Sequence, residues 1–174
     1  MTEKKPLTRS EREAKIKDKA GFVISIFAAI LALNTYLSGK LSSQILNNTI
    51  VANDIWNFYQ AKSVKQTIYE VARDQSVDPS IKKQYEETIA RYESDPKTGE
   101  GKKELYQQAK NLEDERELAK RKSPWISYAG STMQMAIVLI SASIVAVSAA
   151  LFWSSFGVMA AGILLMLQGI FLWF

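Results

Sequence analysis

The chain has 174 residues, with 22 Lys+Arg, 18 Asp+Glu, no His and no Cys. Disulfides, thiol nucleophiles, zinc sites built on His or Cys, and imidazole acid–base catalysis are thereby excluded. All 40 charged side chains lie in residues 1–122, and the 52 residues from Ser123 to Phe174 carry none. The average composition hides two different materials, one ionic and one close to hydrocarbon.

Residues 1–19 form a basic segment with seven cations, Lys4, Lys5, Arg9, Arg12, Lys15, Lys17 and Lys19. The uncharged run at 20–37, AGFVISIFAAILALNTYL, follows at once. A bilayer core about 30 Å thick takes about 20 apolar residues as a helix. The run is therefore a first transmembrane helix, longer than the roughly 7–15 residues of a signal-peptide core, with no small-x-small cleavage site at its end. Residues 126–153 and 157–174 read as the second and third. Ser154-Ser155, between Trp153 and Phe156-Gly157, reads as a tight hairpin at the membrane surface. The basic segment predicts a cytoplasmic N-terminus. Arg116, Lys120, Arg121 and Lys122, just before the second span, pull the other way.

The middle, 38–122, holds 15 basic and 14 acidic side chains in 85 residues. Signs so interspersed predict a solvated surface and no nucleic-acid partner. Helix is expected throughout, with two breaks. Asp78-Pro79 suits an N-cap and first helical residue. Asp95-Pro96-Lys97-Thr98-Gly99-Glu100-Gly101 is dense in turn formers. The first piece, Ser38–Arg73, continues the first span outward for ~54 Å at the helical rise. The second, Ser80–Tyr92, has an apolar stripe of Ile81, Tyr85, Ile89 and Tyr92. The third, Gly101–Lys122, carries a heptad seam of Leu105, Ala109, Leu112 and Ala119, broken at Arg116. The predicted fold is all-α: three transmembrane helices, with a long extramembrane helical hairpin or coiled coil between the first and second.

The densest chemistry lies in Val51–Glu70. On a helix Ala52, Trp56, Tyr59 and Ser63 share one face, while Asp54, Phe58, Ala61 and Lys65 share another. Asp54, Trp56, Tyr59, Gln60, Lys62, Ser63, Lys65 and Tyr69 form the candidate interaction site, because Trp and Tyr anchor interfaces with large area and a polar tip. The competing reading is that the aromatics fill the hairpin and lock its register. Catalysis finds no support: the chain has no cofactor fingerprint, phosphate loop or metal-binding carboxylate cluster. No cofactor, metal or small-molecule substrate is expected.

The run W-x-x-Y-Q-x-K-S-x-K at Trp56–Lys65, followed by Tyr69-Glu70 and preceded by Ala52-Asn53-Asp54, resembles a bacterial membrane-protein family, domain of unknown function 4337. Gln134, Ala136, Ile137, Leu139, Ser141 and Ile144 resemble its second-span pattern. The likeness covers nearly the whole chain, and the aromatic–lysine motif is its specific part. It implies one N-terminal span, a long helical excursion and a C-terminal pair of spans in a bacterial inner membrane. It implies no activity. Relatives often carry basic residues between the last two spans and Asn-Gly near the end. This chain has Phe152-Trp153-Ser154-Ser155-Phe156 and Gln168-Gly169.

No span contains Asp, Glu, Lys, Arg or His, which argues against a pump or ion-coupled transporter. Ala142, Ala146 and Ala150, and Gly157 with Ala161, recur at the four-residue spacing that lets helices approach closely. Asn34, Gln134 and Gln168 are the strongest polar groups in the spans and call for hydrogen bonds across helices. The expected function is structural: a non-enzymatic membrane protein that self-associates or joins a membrane complex through its helical arm. The alternative is an oligomeric pore, its wet vestibule lined by Ser42, Ser43, Gln44, Asn47, Asn48 and Thr49.

Overall fold

The structure, a computed structural model, describes residues 9–173. Lys4 and Lys5 of the basic segment, and the final Phe174, lie outside the described residues. There are four helices and, among the described residues, no strand: α1 (Arg9–Gln75), α2 (Pro79–Glu93), α3 (Lys102–Val145) and α4 (Ala149–Phe171). The all-α expectation holds. Helices α1, α3 and α4 are each long and apolar enough to cross a membrane. The first expected span and the first piece of the middle form one unbroken helix of 67 residues. α3 likewise joins the third piece to the second span, with Pro124 inside it. Proline lacks an N–H and normally weakens a helix interior.

The chain divides into two compact units. One comprises residues 1–42 and 120–174, the other residues 43–119. In the first, α1, α3 and α4 bury Ala20, Phe27, Ala129, Met133, Ala136, Ile140, Phe152 and Met159. Phe27 meets Phe156 edge-on at 5.4 Å. Small residues set the helix spacing. A Cβ on Gly162 would lie 2.8 Å from Met133 Cγ, and one on Gly169 would lie 2.7 Å from Ile126 Cδ1. Gly157, expected in such a contact, has nothing within 4 Å of its Cβ position. The exterior of this unit is apolar, with Phe22, Leu33, Val138 and Leu164 all more than 60% exposed, whereas Asn34, Ser143, Ser155 and Gln168 are buried. The Ser143 and Ser155 hydroxyls donate to the carbonyls of Ile140 and Phe152 on their own helices, as buried polar groups require. Asn34 Nδ2 donates to the Ile126 carbonyl at 3.0 Å, and its Oδ1 has no partner. A buried acceptor left in that state costs about 1–3 kcal/mol.

The turn between the last two helices corrects the expected boundaries. It falls at 146–148, with Ser148 as the N-cap of α4 and Val147 at φ 50°. Ser154-Ser155 lies inside α4. The length requirement explains the shift. Residues 126–145 and 149–171 are 20 and 23 residues long, both near a bilayer thickness. Ala142, Ala146 and Ala150 therefore do not share a helix. Gln168 supports the end of α4, its Oε1 accepting from the Trp173 amide at 3.2 Å.

In the second unit Asp78 caps α2, its carboxylate accepting from the Ser80 amide at 2.8 Å, with Pro79 as the first helical residue. Leu105, Ala109 and Ala119 of the expected seam are buried. Buried and half-buried positions recur every seven residues along both long helices: Ala20, Phe27, Asn34, Leu41, Asn48 and Ile55 on α1, and Leu105, Leu112, Ala119, Ile126, Met133 and Ile140 on α3. A seven-residue period keeps one stripe of an α-helix against an antiparallel neighbour.

Candidate interaction site

The motif at Trp56–Lys65 splits as its helical spacing predicts. Trp56, Tyr59, Lys62, Ser63 and Tyr69 are half-buried, while Asp54, Gln60 and Lys65 are exposed. The inward set is engaged within the second unit. Trp56 Nε1 donates to Glu113 Oε1 at 2.9 Å. Its ring stands edge-on to Tyr59 at 5.6 Å and to Tyr106 at 5.5 Å. Lys102 Nζ lies over the Tyr59 ring at 5.6 Å. Lys62 pairs with Glu100 at 3.3 Å and lies over the rings of Phe58 and Tyr92. Tyr69 packs between Tyr85 and Tyr92. The Ser63 carbonyl accepts from the Thr67 hydroxyl. Edge-on aromatic pairs and desolvated cation–ring contacts each contribute about 1 kcal/mol. The aromatics thus tie α1 to α2 and α3.

Glu100, Lys102, Tyr106 and Glu113, which complete these contacts, are absent from the sequence-based candidates. They lie 38–57 residues from their partners, beyond any within-helix rule. The seam of Leu105, Ala109 and Leu112, beside Tyr106 and Glu113 on α3, is the signal that could have found two of them. Asn48, which the pore alternative puts on a wet rim, turns inward: it is buried and donates to the Leu112 carbonyl at 3.4 Å and to Glu115 Oε2 at 3.1 Å.

Carboxylates hold the turn joining α2 to α3. Glu104 accepts from the Ser94 hydroxyl at 2.6 Å and from the Asp95 amide at 3.1 Å. These bonds, the hydroxyl first, hold its pKa below the ordinary 4.5. Asp95 is lowered in the same way, chiefly by the Thr98 side chain. A depressed folded pKa contributes stability at pH above the ordinary value, and that stability is lost as pH falls through the folded one. Acidification below about pH 4.5 is therefore expected to loosen residues 94–101. A fall in the protection factor of the Asp95 amide in acid, with that fall absent in Glu104→Gln, is the measurement that checks it.

These features define an all-helical protein with three helices of membrane-crossing length and a helical hairpin stitched by aromatics. The chain belongs to the family described as domain of unknown function (DUF4337), which it matches over residues 16–172. No curated protein and no solved structure matches it.

Proposed function

We propose that this is a membrane-embedded, non-catalytic interaction protein that self-associates along the free side of α1. One observation carries the membrane reading: the first unit shows large apolar side chains to the outside and buries Asn34, Ser143, Ser155 and Gln168. The hydroxyls it leaves exposed at Ser25, Thr35, Ser131, Ser141 and Ser154 donate to carbonyls of their own helices, while Gln134 is exposed. Water would solvate the reverse arrangement, and lipid suits this one. The seven basic residues of 1–19 support a cytoplasmic N-terminus.

Self-association is supported by what the hairpin leaves uncovered. Ile50, Val64 and Val71 are exposed on α1. With Asn57 they recur every seven residues, and the exposed Asp54 and Gln60 lie beside them. Such a stripe suits a second copy of α1, with Asn57 fixing register. The native chain has no cysteine, so single substitutions give unambiguous crosslinks. Ile50→Cys, Val64→Cys and Val71→Cys are expected to form disulfide-linked dimers in membranes, whereas Lys82→Cys on α2 is not. Failure of all three α1 variants sinks self-association. A purified chain that stays dispersed without detergent sinks the membrane reading.

A further inference from the structure

Of the three amides in the spans, Asn34 and Gln168 are buried and hydrogen-bonded. Gln134 is exposed on α3 and has no hydrogen bond among the described residues. From Gln134 the helix runs about 12 Å back to Ile126 and about 17 Å on to Val145. The amide therefore sits near the middle of a hydrocarbon core about 30 Å thick. The hydroxyls beside it meet their own needs, Ser131 and Ser141 donating to the carbonyls of Ser127 and Ile137 one turn back. A primary amide carries two donor hydrogens and an acceptor oxygen. The N–H groups around it are spent within the helix, and lipid tails offer neither donor nor acceptor.

The face that carries Gln134 has the relief of a helix contact. Ser127, Ser131, Gln134, Val138 and Ser141 are all exposed. Their alternating steps of four and three residues put them in one line along α3. Clefts of about 390 Å³ and about 360 Å³ both have Ser131 and Gln134 in their linings. Gly130 lies on the side of the first and Leu139 on the side of the second, so the pair stands between two hollows. Ridges set beside grooves are how helices pack, and serines let backbones come close.

We infer that this face of α3 is an interface with a second copy of the chain inside the membrane, Gln134 of each copy hydrogen-bonding to Gln134 of the other. The occupant has to bring a donor and an acceptor to mid-membrane depth. Two chains inserted the same way are related by an axis along the membrane normal. That axis carries every residue to its own depth and sets the same patch against itself. An amide is its own complement: each Nε2 donates to the other Oε1, so one contact satisfies both. Every lining residue of the two clefts is uncharged, so closing them strips no ion of its water. The inference rests on the membrane reading above and uses no residue of the α1 stripe.

Cysteines on the face test it, in the full chain in membranes. Ser131→Cys and Val138→Cys are expected to give disulfide-linked dimers on mild oxidation, whereas Leu164→Cys, similarly exposed on α4, is not. Adding Gln134→Leu to the Val138→Cys chain should lower the association constant about tenfold, as loss of an interhelical amide pair in lipid does. Dilution of the vesicles with lipid reads that constant. Gln134→Asn, which keeps an amide, should restore most of it. Circular dichroism in the same vesicles checks that Gln134→Leu keeps its helices.

An unchanged association constant in a folded Gln134→Leu overturns the inference, as does equal crosslinking at Leu164. Crosslinks to a protein of another mass, with no dimer of the chain, give the face to a different partner and likewise overturn it. Dimers through Ile50→Cys and Val64→Cys with none through the two α3 variants refute this interface and leave the α1 reading standing. The opposite pattern supports this interface and refutes only the α1 reading. A chain recovered dispersed outside the membrane overturns the membrane reading and this inference with it, a result distinct from the others.

Discussion

Gly101→Ala is expected to destabilise the second unit by about 3 kcal/mol, at the upper end of the range for overpacking. A Cβ at 101 would fall 2.6 Å from Ser94 Cα and closer still to the Asp95 amide nitrogen and a Glu104 carboxylate oxygen. Two of those atoms are backbone and cannot rotate away. The third belongs to the carboxylate that holds the turn, so the intruding methyl group also dislodges Glu104 from Ser94 and Asp95. Gly99 offers a comparison by a different mechanism. Its φ of 72° lies in the left-handed region, and its Cβ position has only Gln108 Nε2 within 4 Å, at 3.6 Å, so Gly99→Ala costs about 1–2 kcal/mol of backbone strain alone. Gly39→Ala, with open space and a helical backbone, should be neutral or stabilising by up to about 1 kcal/mol. Amide exchange across α2 in the three full-length variants gives the ranking. A Gly101→Ala chain with wild-type protection in α2 would refute the steric account.

Trp56→Ala carries the second large effect, a loss of about 3 kcal/mol, at the low end of the cost of truncating a large aromatic because the residue is only half-buried. Three interactions go together: the indole bond to Glu113 and the edge-on contacts with Tyr59 and Tyr106. Trp56→Phe keeps the ring contacts and loses the hydrogen bond, so about 1 kcal/mol is expected. Asp54→Ala and Lys65→Ala, at exposed positions of the same motif, should stay within about 0.5 kcal/mol. Thermal unfolding of the full chain in detergent separates the two groups. Equal losses at Trp56 and Lys65 would contradict the division into an inward and an outward face. The contrast also isolates function: an outward variant that impairs dimer formation without lowering stability acts at the interface.

Much of this architecture was legible because each signal is local. Asp78-Pro79 announces a helix start through its own side chain and its own missing N–H. Helical spacing divides Val51–Glu70 into faces without knowledge of any partner. The turn at 146–148 was not legible by residue type. It has no Gly, Pro or Asn, and places a β-branched Val147 at positive φ, while Trp153, Ser154-Ser155 and Gly157 imitate a turn inside a helix. Counting residues against bilayer thickness would have located it. The contacts of Trp56, Lys62 and Asn48 were hidden for another reason: their partners lie dozens of residues away, on helices whose register the motif alone does not specify. The abrupt change from charged to apolar sequence near Ser123 also concealed the repeat shared by its two sides. Composition changes there while the spacing of buried positions does not.

That spacing restricts how chains of this kind can differ in length. Within the second unit, Asn48 donates to the Leu112 carbonyl and Trp56 stands edge-on to Tyr106. Each residue added to a helix rotates all that follows by about 100°. A lone insertion between 48 and 56 would swing one of the two away from α3. Growth or shrinkage of this hairpin is therefore quantised: two helical turns at a time, gained or lost by both helices.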